Sequence, residues 1–254
     1  RWAPGYFGSI TAMDREFGRI YDHLKATGEL ENTIIVLTAD HGEMLGTHGR
    51  WMKDIWYEES AGIPFVIGGL KNIPAQRSQS LFSLVDAMPT LLDLMGLDVP
   101  AGRSGKSQCA IIHGKEPINT EPVFISHNTG APPPERTRYE FPIEKGMYWR
   151  GLVSHQFTYA IVDQRPESVF YNADNPWDAF DATATSVLFD LENDPEEVHN
   201  LVEQNPELVA MFKEKSEKWL AQSGEVLVQA PVPTKEEKRR KKAEKAAKEK
   251  KKKS

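Results

Sequence analysis

The chain has 254 residues, 39% hydrophobic and 27% charged, with a net charge of −6 at neutral pH. That is enough apolar material for one large domain, or for a large and a small one, and its longest apolar runs, Thr33 to Ala39 and Ile63 to Leu70, fall far short of the roughly 20 residues that span a bilayer. Lys235 to Ser254 carries twelve Lys/Arg against four Glu, which leaves residues 1–234 with about fourteen excess negative charges and excludes the concentrated surface cation that nucleic-acid binding needs.

No positively charged start followed by an apolar stretch opens the chain, so no signal peptide is visible. Position 1 is Arg and the sequence opens in mid-pattern, which leads to the expectation that residue 1 is not the natural start. From Gly8 to Leu30 the residues Ile10, Met13, Phe17, Ile20, Tyr21 and Leu24 recur at spacings of three and four, predicting a helix that Gly28 stops. Asn32 to Asp40 is a short run rich in β-branched residues with no polar alternation. It predicts a strand buried on both faces of a parallel sheet, and Ile63 to Ile67 predicts a second of the same kind. Ser83 to Met95 is helical in period, with Gly96 as its stop and Asp86 placed to cap it. Alternating strands and helices read as α/β for residues 1–120.

The texture then changes. Pro122 to Ser126 predicts a strand, Asn128 to Arg138 a Pro-rich loop, and Met147 to Val162 two strands joined by a turn. Asp174 to Thr185 reads as an acidic loop, Ser186 to Leu191 as a strand, and Pro206 to Ser223 as an amphipathic helix. Together these predict a small α+β C-terminal domain over 121–229, with an antiparallel sheet and one helix. Residues 230–254 have no apolar stripe and predict a Lys-rich disordered tail. The single cysteine, Cys109, excludes an internal disulfide.

In an open α/β sheet, ligands sit outside the carboxyl ends of strands, and Asp40 and His41 fall at that position. A carboxylate and an imidazole there are plausible ligands for a divalent metal, with Gly42 allowing a sharp turn beside them. The dipeptide alone equally suits an Asp helix cap followed by a polar loop histidine.

The wider frame is more specific. DHGEMLGTHGRWMKDIWYEESAGIPFVI, from Asp40 to Ile67, resembles the sulfatase family of the alkaline phosphatase superfamily, whose members share a strand-end DHG or DNG, a G-x-HG-x-W-x-K segment, then YE and a Pro-led strand. SLVDAMPTLLDLMGLDVP resembles the family's helix that follows. LFDLENDPEEVHNL resembles its late L-Y-D-L-x-x-DP-x-E turn, and YFGSITAMDREFGRIYDHL its helix before the metal strand. The resemblance implies the C-terminal part of an alkaline-phosphatase-like mixed sheet sandwiched by helices. It also implies hydrolysis of sulfate monoesters on a sulfated small molecule or carbohydrate, with one divalent cation, Ca²⁺ in preference to Mg²⁺. Asp40 and His41 match metal ligands and Lys53 matches the sulfate-binding lysine, a compact cation aimed at oxygen. His48 matches the HG of the segment, as a catalytic or a supporting residue. His127 reads as a surface histidine that could reach the pocket mouth. Family resemblance implies a periplasmic, secreted or lysosomal setting.

Two departures bear on activity. The family's C/S-x-P-x-R, source of the formylglycine nucleophile, is absent from these 254 residues; Cys109 lies in SQCAIIHGK, without its Pro and Arg. The paired aspartates of an early strand are also absent. The expectation is therefore a portion of a sulfatase, inactive alone, with apolar sheet edges exposed. The alternatives are a phosphodiester or phosphonate monoester hydrolase of the same superfamily, and a non-catalytic protein whose basic tail contacts anionic polymers.

Overall fold

A computed structural model describes residues 2–71, 73–128, 148–162 and 186–223. The Pro-rich loop after Asn128, the acidic loop 174–185 and the Lys-rich tail lie outside the described residues.

Helix α1 (Trp2–Thr27) ends where Gly28 takes a φ of 78°, with the Glu29 N–H donating back to Leu24 O at 2.9 Å. The predicted helix is therefore present, beginning six residues earlier than its apolar spacing suggested. Strand β1 (Ile35–Thr38) follows, then helix α2 (Glu58–Ala61), strand β2 (Phe65–Gly68), and helix α3 (Leu84–Leu94). Ser83 and Asp86 form a reciprocal capping box at the start of α3, the role expected of Asp86. Helix α4 (Cys109–Ile112) is a single turn packed on α3.

The reading of β1 and β2 as doubly buried parallel strands is corrected. They pair antiparallel, Ile35 opposite Gly68 and Leu37 opposite Val66, in a two-stranded sheet. Leu37 and Val66 are more than half exposed. The local run encodes burial on both faces but not the direction of a partner, and among the described residues only β2 flanks β1. The apolar stripe of α1 is likewise exposed at Ile10, Met13, Phe17 and Ile20.

The second sheet carries most of the core. β3 (Val123–Asn128), β4 (Tyr148–Val153), β5 (Phe157–Val162) and β6 (Ser186–Asp190) form an antiparallel meander in that order, matching the strands predicted there. Side chains alternate between its faces. Leu152, Tyr159, Ile161 and Leu188 point to one side, where α5 (Pro206–Ser223) packs Phe212 on the Tyr159 ring and Trp219 on Phe124. Trp149, Ala160, Val162, Val187 and Phe189 point to the other, and there meet Met44, Ile55, Trp56 and Tyr57. The stretch between β1 and α2 is thus the second cover of the antiparallel sheet.

One carboxylate is buried in this packing. Glu197, in the turn after β6, is 1% exposed, and its Oε2 accepts the Glu58 N–H at 2.7 Å. Its other oxygen has no hydrogen bond among the described residues. Burial outweighs the Glu58 amide and the adjacent Thr158 hydroxyl and pushes its pKa up to about 7 from an ordinary 4.5. The folded chain therefore holds an extra proton between those values. Stability is greatest below about pH 4.5 for this group and falls as pH rises through 7, by on the order of 3 kcal/mol. Glu197→Gln keeps an acceptor for Glu58 and removes the charge. Urea unfolding at pH 5 and pH 8 should show the wild type losing more stability across the interval than the variant; parallel profiles would contradict this assignment.

Candidate active site

The segment from Asp40 to Glu58 is built around tight backbone turns. The Gly42 N–H donates to Ser60 O at 2.8 Å, and a Cβ at Gly42 would lie 2.0 Å from Glu59 O, so only glycine permits this approach of the strand end to α2. The Glu43 carboxylate accepts the Met52 N–H at 2.6 Å, closing the loop across nine residues. Leu45, His48, Met52 and Asp54 have φ values of 47°, 54°, 72° and 83°. A left-handed backbone costs a non-glycine residue roughly 1–2 kcal/mol. Lys53 therefore stands between two strained neighbours, held by burial of Ile55, Trp56 and Tyr57 just beyond it.

Asp40, His41, Lys53 and Asp54 line one open cleft of about 340 Å³, together with His127 and Trp149 from the antiparallel sheet. The Asp40 side chain is largely exposed, and its Oδ2 lies 3.6 Å from His41 Nε2, while His41 Nδ1 is 2.7 Å from Gly42 O. Three residues singled out from sequence, Asp40, His41 and Lys53, are thus brought together. His48 is not among the lining residues. Its ring stacks on Tyr57, with centroids 3.8 Å apart and planes 7° from parallel, and its buried Nε2 has no hydrogen bond among the described residues.

The structure adds a wall that the local sequence did not disclose. His127 is half-buried rather than on the surface. Its Nδ1 is 3.6 Å from Asp54 Oδ1, and its ring lies nearly parallel to Trp149, whose indole N–H donates to Asp54 O at 2.9 Å. Desolvation holds the His127 imidazole below its ordinary pKa, opposed by Asp54 and reinforced by the charges of Arg150 and Lys53. Burial thus favours its neutral form. The pairing across strands β3 and β4, with His127 opposite Trp149, places both on the cleft side of the sheet, the second of the two positions the sequence allowed for His127.

The Asp40 carboxylate has the donor chemistry for a hard cation, which takes about six or more ligands, mostly oxygen, and the His41 imidazole beside it is the softer, nitrogen donor of the pair. Among the described residues, however, no group of three or more His, Cys, Asp or Glu side chains converges on a point.

The His127 assignment is checked by following its imidazole resonances with pH. The ring should titrate below 6.5, and Asp54→Asn, by removing the one charge that favours its protonation, should lower the value further. A rise on Asp54→Asn would contradict the electrostatics described.

The sulfatase family model matches residues 3–97. N-acetylglucosamine-6-O-sulfatase of Bacteroides thetaiotaomicron is 32% identical over 200 residues, covering 77% of this chain and 31% of that protein. Among solved structures, one protein held in complex with its substrate D-glucosamine-2-N,6-O-disulfate superposes with a TM-score of 0.60 at 25% identity, over 84% of this chain and 39% of its own. A phosphonate monoester hydrolase from Silicibacter pomeroyi superposes with a TM-score of 0.59 at 27% identity, over 82% of this chain and 38% of its own. The chain spans about a third of the length of the curated relatives it matches. By the family match and the similarity to these relatives, the chain belongs to the sulfatase family of the alkaline phosphatase superfamily.

Proposed function

We propose that this chain supplies one wall of the active site of a metal-dependent hydrolase of sulfate monoesters. The observation that carries the reading is the meeting of Asp40, His41 and Lys53 in a single cleft, although thirteen positions of strained loop separate the first from the last. In this reading Asp40 and His41 would supply two of the ligands of a divalent cation, Ca²⁺ in preference to Mg²⁺, which when bound would contribute Lewis acidity to the site. The remaining ligands and the formylglycine nucleophile come from outside these 254 residues, because no C/S-x-P-x-R occurs within them.

The chain's own residues then bind and orient. The Lys53 ammonium pairs with a sulfate oxygen and stabilises the alkoxide that develops as the S–O bond to the alcohol breaks. Its tether is short of freedom, since Met52 and Asp54 on either side are fixed in left-handed backbone. That preorganisation removes part of the entropy cost of aiming a long side chain. His127, braced by Trp149 and Asp54, lines the cleft from the sheet side. His48 acts at one remove, through its stack on Tyr57 at the foot of the loop. The substrate class is a sulfated carbohydrate or a small sulfate ester, by likeness to the relatives above.

The likeness to a phosphonate monoester hydrolase favours a second reading within the superfamily, in which the cleft takes a phosphonate or phosphodiester. Both readings are tested on the polypeptide that completes the site. Lys53→Ala and Asp40→Asn should each lower kcat/KM for 4-nitrophenyl sulfate by about 10²–10³-fold, the scale of losing one preorganised charge contact. Normal turnover by either variant would sink the residue assignments. A wild-type preference for a phenylphosphonate monoester over the sulfate ester would select the second reading.

A further inference from the structure

Glu197 joins two features that are costly for a carboxylate, near-complete burial and a left-handed φ of 50°. Among the described residues, it is the one non-glycine position with positive φ outside the loop that carries Lys53. Its Oε2 takes the Glu58 N–H across 139 residues of chain. Glu58 is the first residue of α2, and Tyr57, at the N-cap, makes no side-chain capping bond. Glu197 therefore stands in for the missing cap from a distant part of the sequence. The groups facing it are Thr158 from β5 and the Glu58 and Glu59 carboxylates of α2.

The other side of α2 touches the strand end. Ser60 O accepts the Gly42 N–H, and Glu59 O lies where a Gly42 Cβ would be. Gly42 O in turn meets His41 Nδ1. We propose that Glu197 is a positioning residue for the Asp40–His41 pair: by fixing the first turn of α2 it sets the backbone against which Gly42, and through it the His41 ring, is held. The functional meaning of this coupling rests on the sulfatase reading, but the coupling itself is a property of the chain alone.

Amide hydrogen exchange on the chain, followed by NMR without metal or substrate, separates the two questions. Glu197→Ala should speed exchange at Gly42 by about ten-fold, the scale of one lost buried hydrogen bond. The β3–β4 ladder should stay within about two-fold of wild type, as expected for local opening. Glu197→Gln, which retains an oxygen for the Glu58 N–H, should return Gly42 to near the wild-type rate. Should Glu197→Ala not fold, Glu197→Asp, whose carboxylate is one methylene short, is read in the same way. Unchanged Gly42 exchange would overturn the proposal, as would equal acceleration at Gly42 and across the ladder, which would mark Glu197 as a general stabiliser.

Discussion

The burial of Met44, Ile55, Trp56 and Tyr57 against one face of the antiparallel sheet is the contact on which the candidate site depends. Trp56 meets the edge of Trp149 with ring centroids 5.8 Å apart and planes at 87°, and Tyr57 lies against Phe189. Each of these rings removes a large apolar area from water, with a further gain from edge-to-face geometry. That gain is what tolerates four left-handed non-glycine residues in ten positions of loop. Without it the segment would relax, and Lys53 would lose its fixed bearing on Asp40 and His41.

The same contact explains why the cleft has two kinds of wall. One comes from the end of β1, where the chain leaves the strand at Asp40. The other comes from β3 and β4, which present His127 and Trp149. The Trp149 indole bonded to Asp54 O ties them at the residue next to Lys53. A short helix, α2, stands behind, in backbone contact with Gly42 on one side and with Glu197 on the other.

Much of this was legible in the residues, where local chemistry decides. Gly28 and Gly96 stop helices because only glycine enters left-handed backbone freely, and Ser83 with Asp86 spells a capping box. The strands β4 to β6 and the apolar face of α5 also declare themselves, the strands as short runs rich in β-branched and aromatic residues and the helix by its period. The DHG and Lys positions were legible through a family frame rather than through spacing alone. What stayed hidden depends on partners far away in sequence. The run Ile35–Thr38 encodes burial but not which strand will flank it, so its antiparallel pairing was missed. The sequence allows His127 either a surface position or the pocket mouth; its place in the cleft follows from a register with Trp149 and from Asp54, more than seventy residues earlier. Glu197 falls on the Glu of the family's late DP-x-E turn, but its burial and its bond to the Glu58 N–H depend on a contact 139 residues away.

The most direct measurement is the exchange rate of the Trp149 indole N–H in the wild type and in Trp56→Ala. If loop burial on the sheet builds the cleft, this proton is slow to exchange in the wild type. In the variant it should exchange at least ten-fold faster while the β4–β5 ladder remains protected, the pattern of a loop released from an intact sheet. An indole N–H that exchanges equally slowly with Trp56 removed would contradict the account.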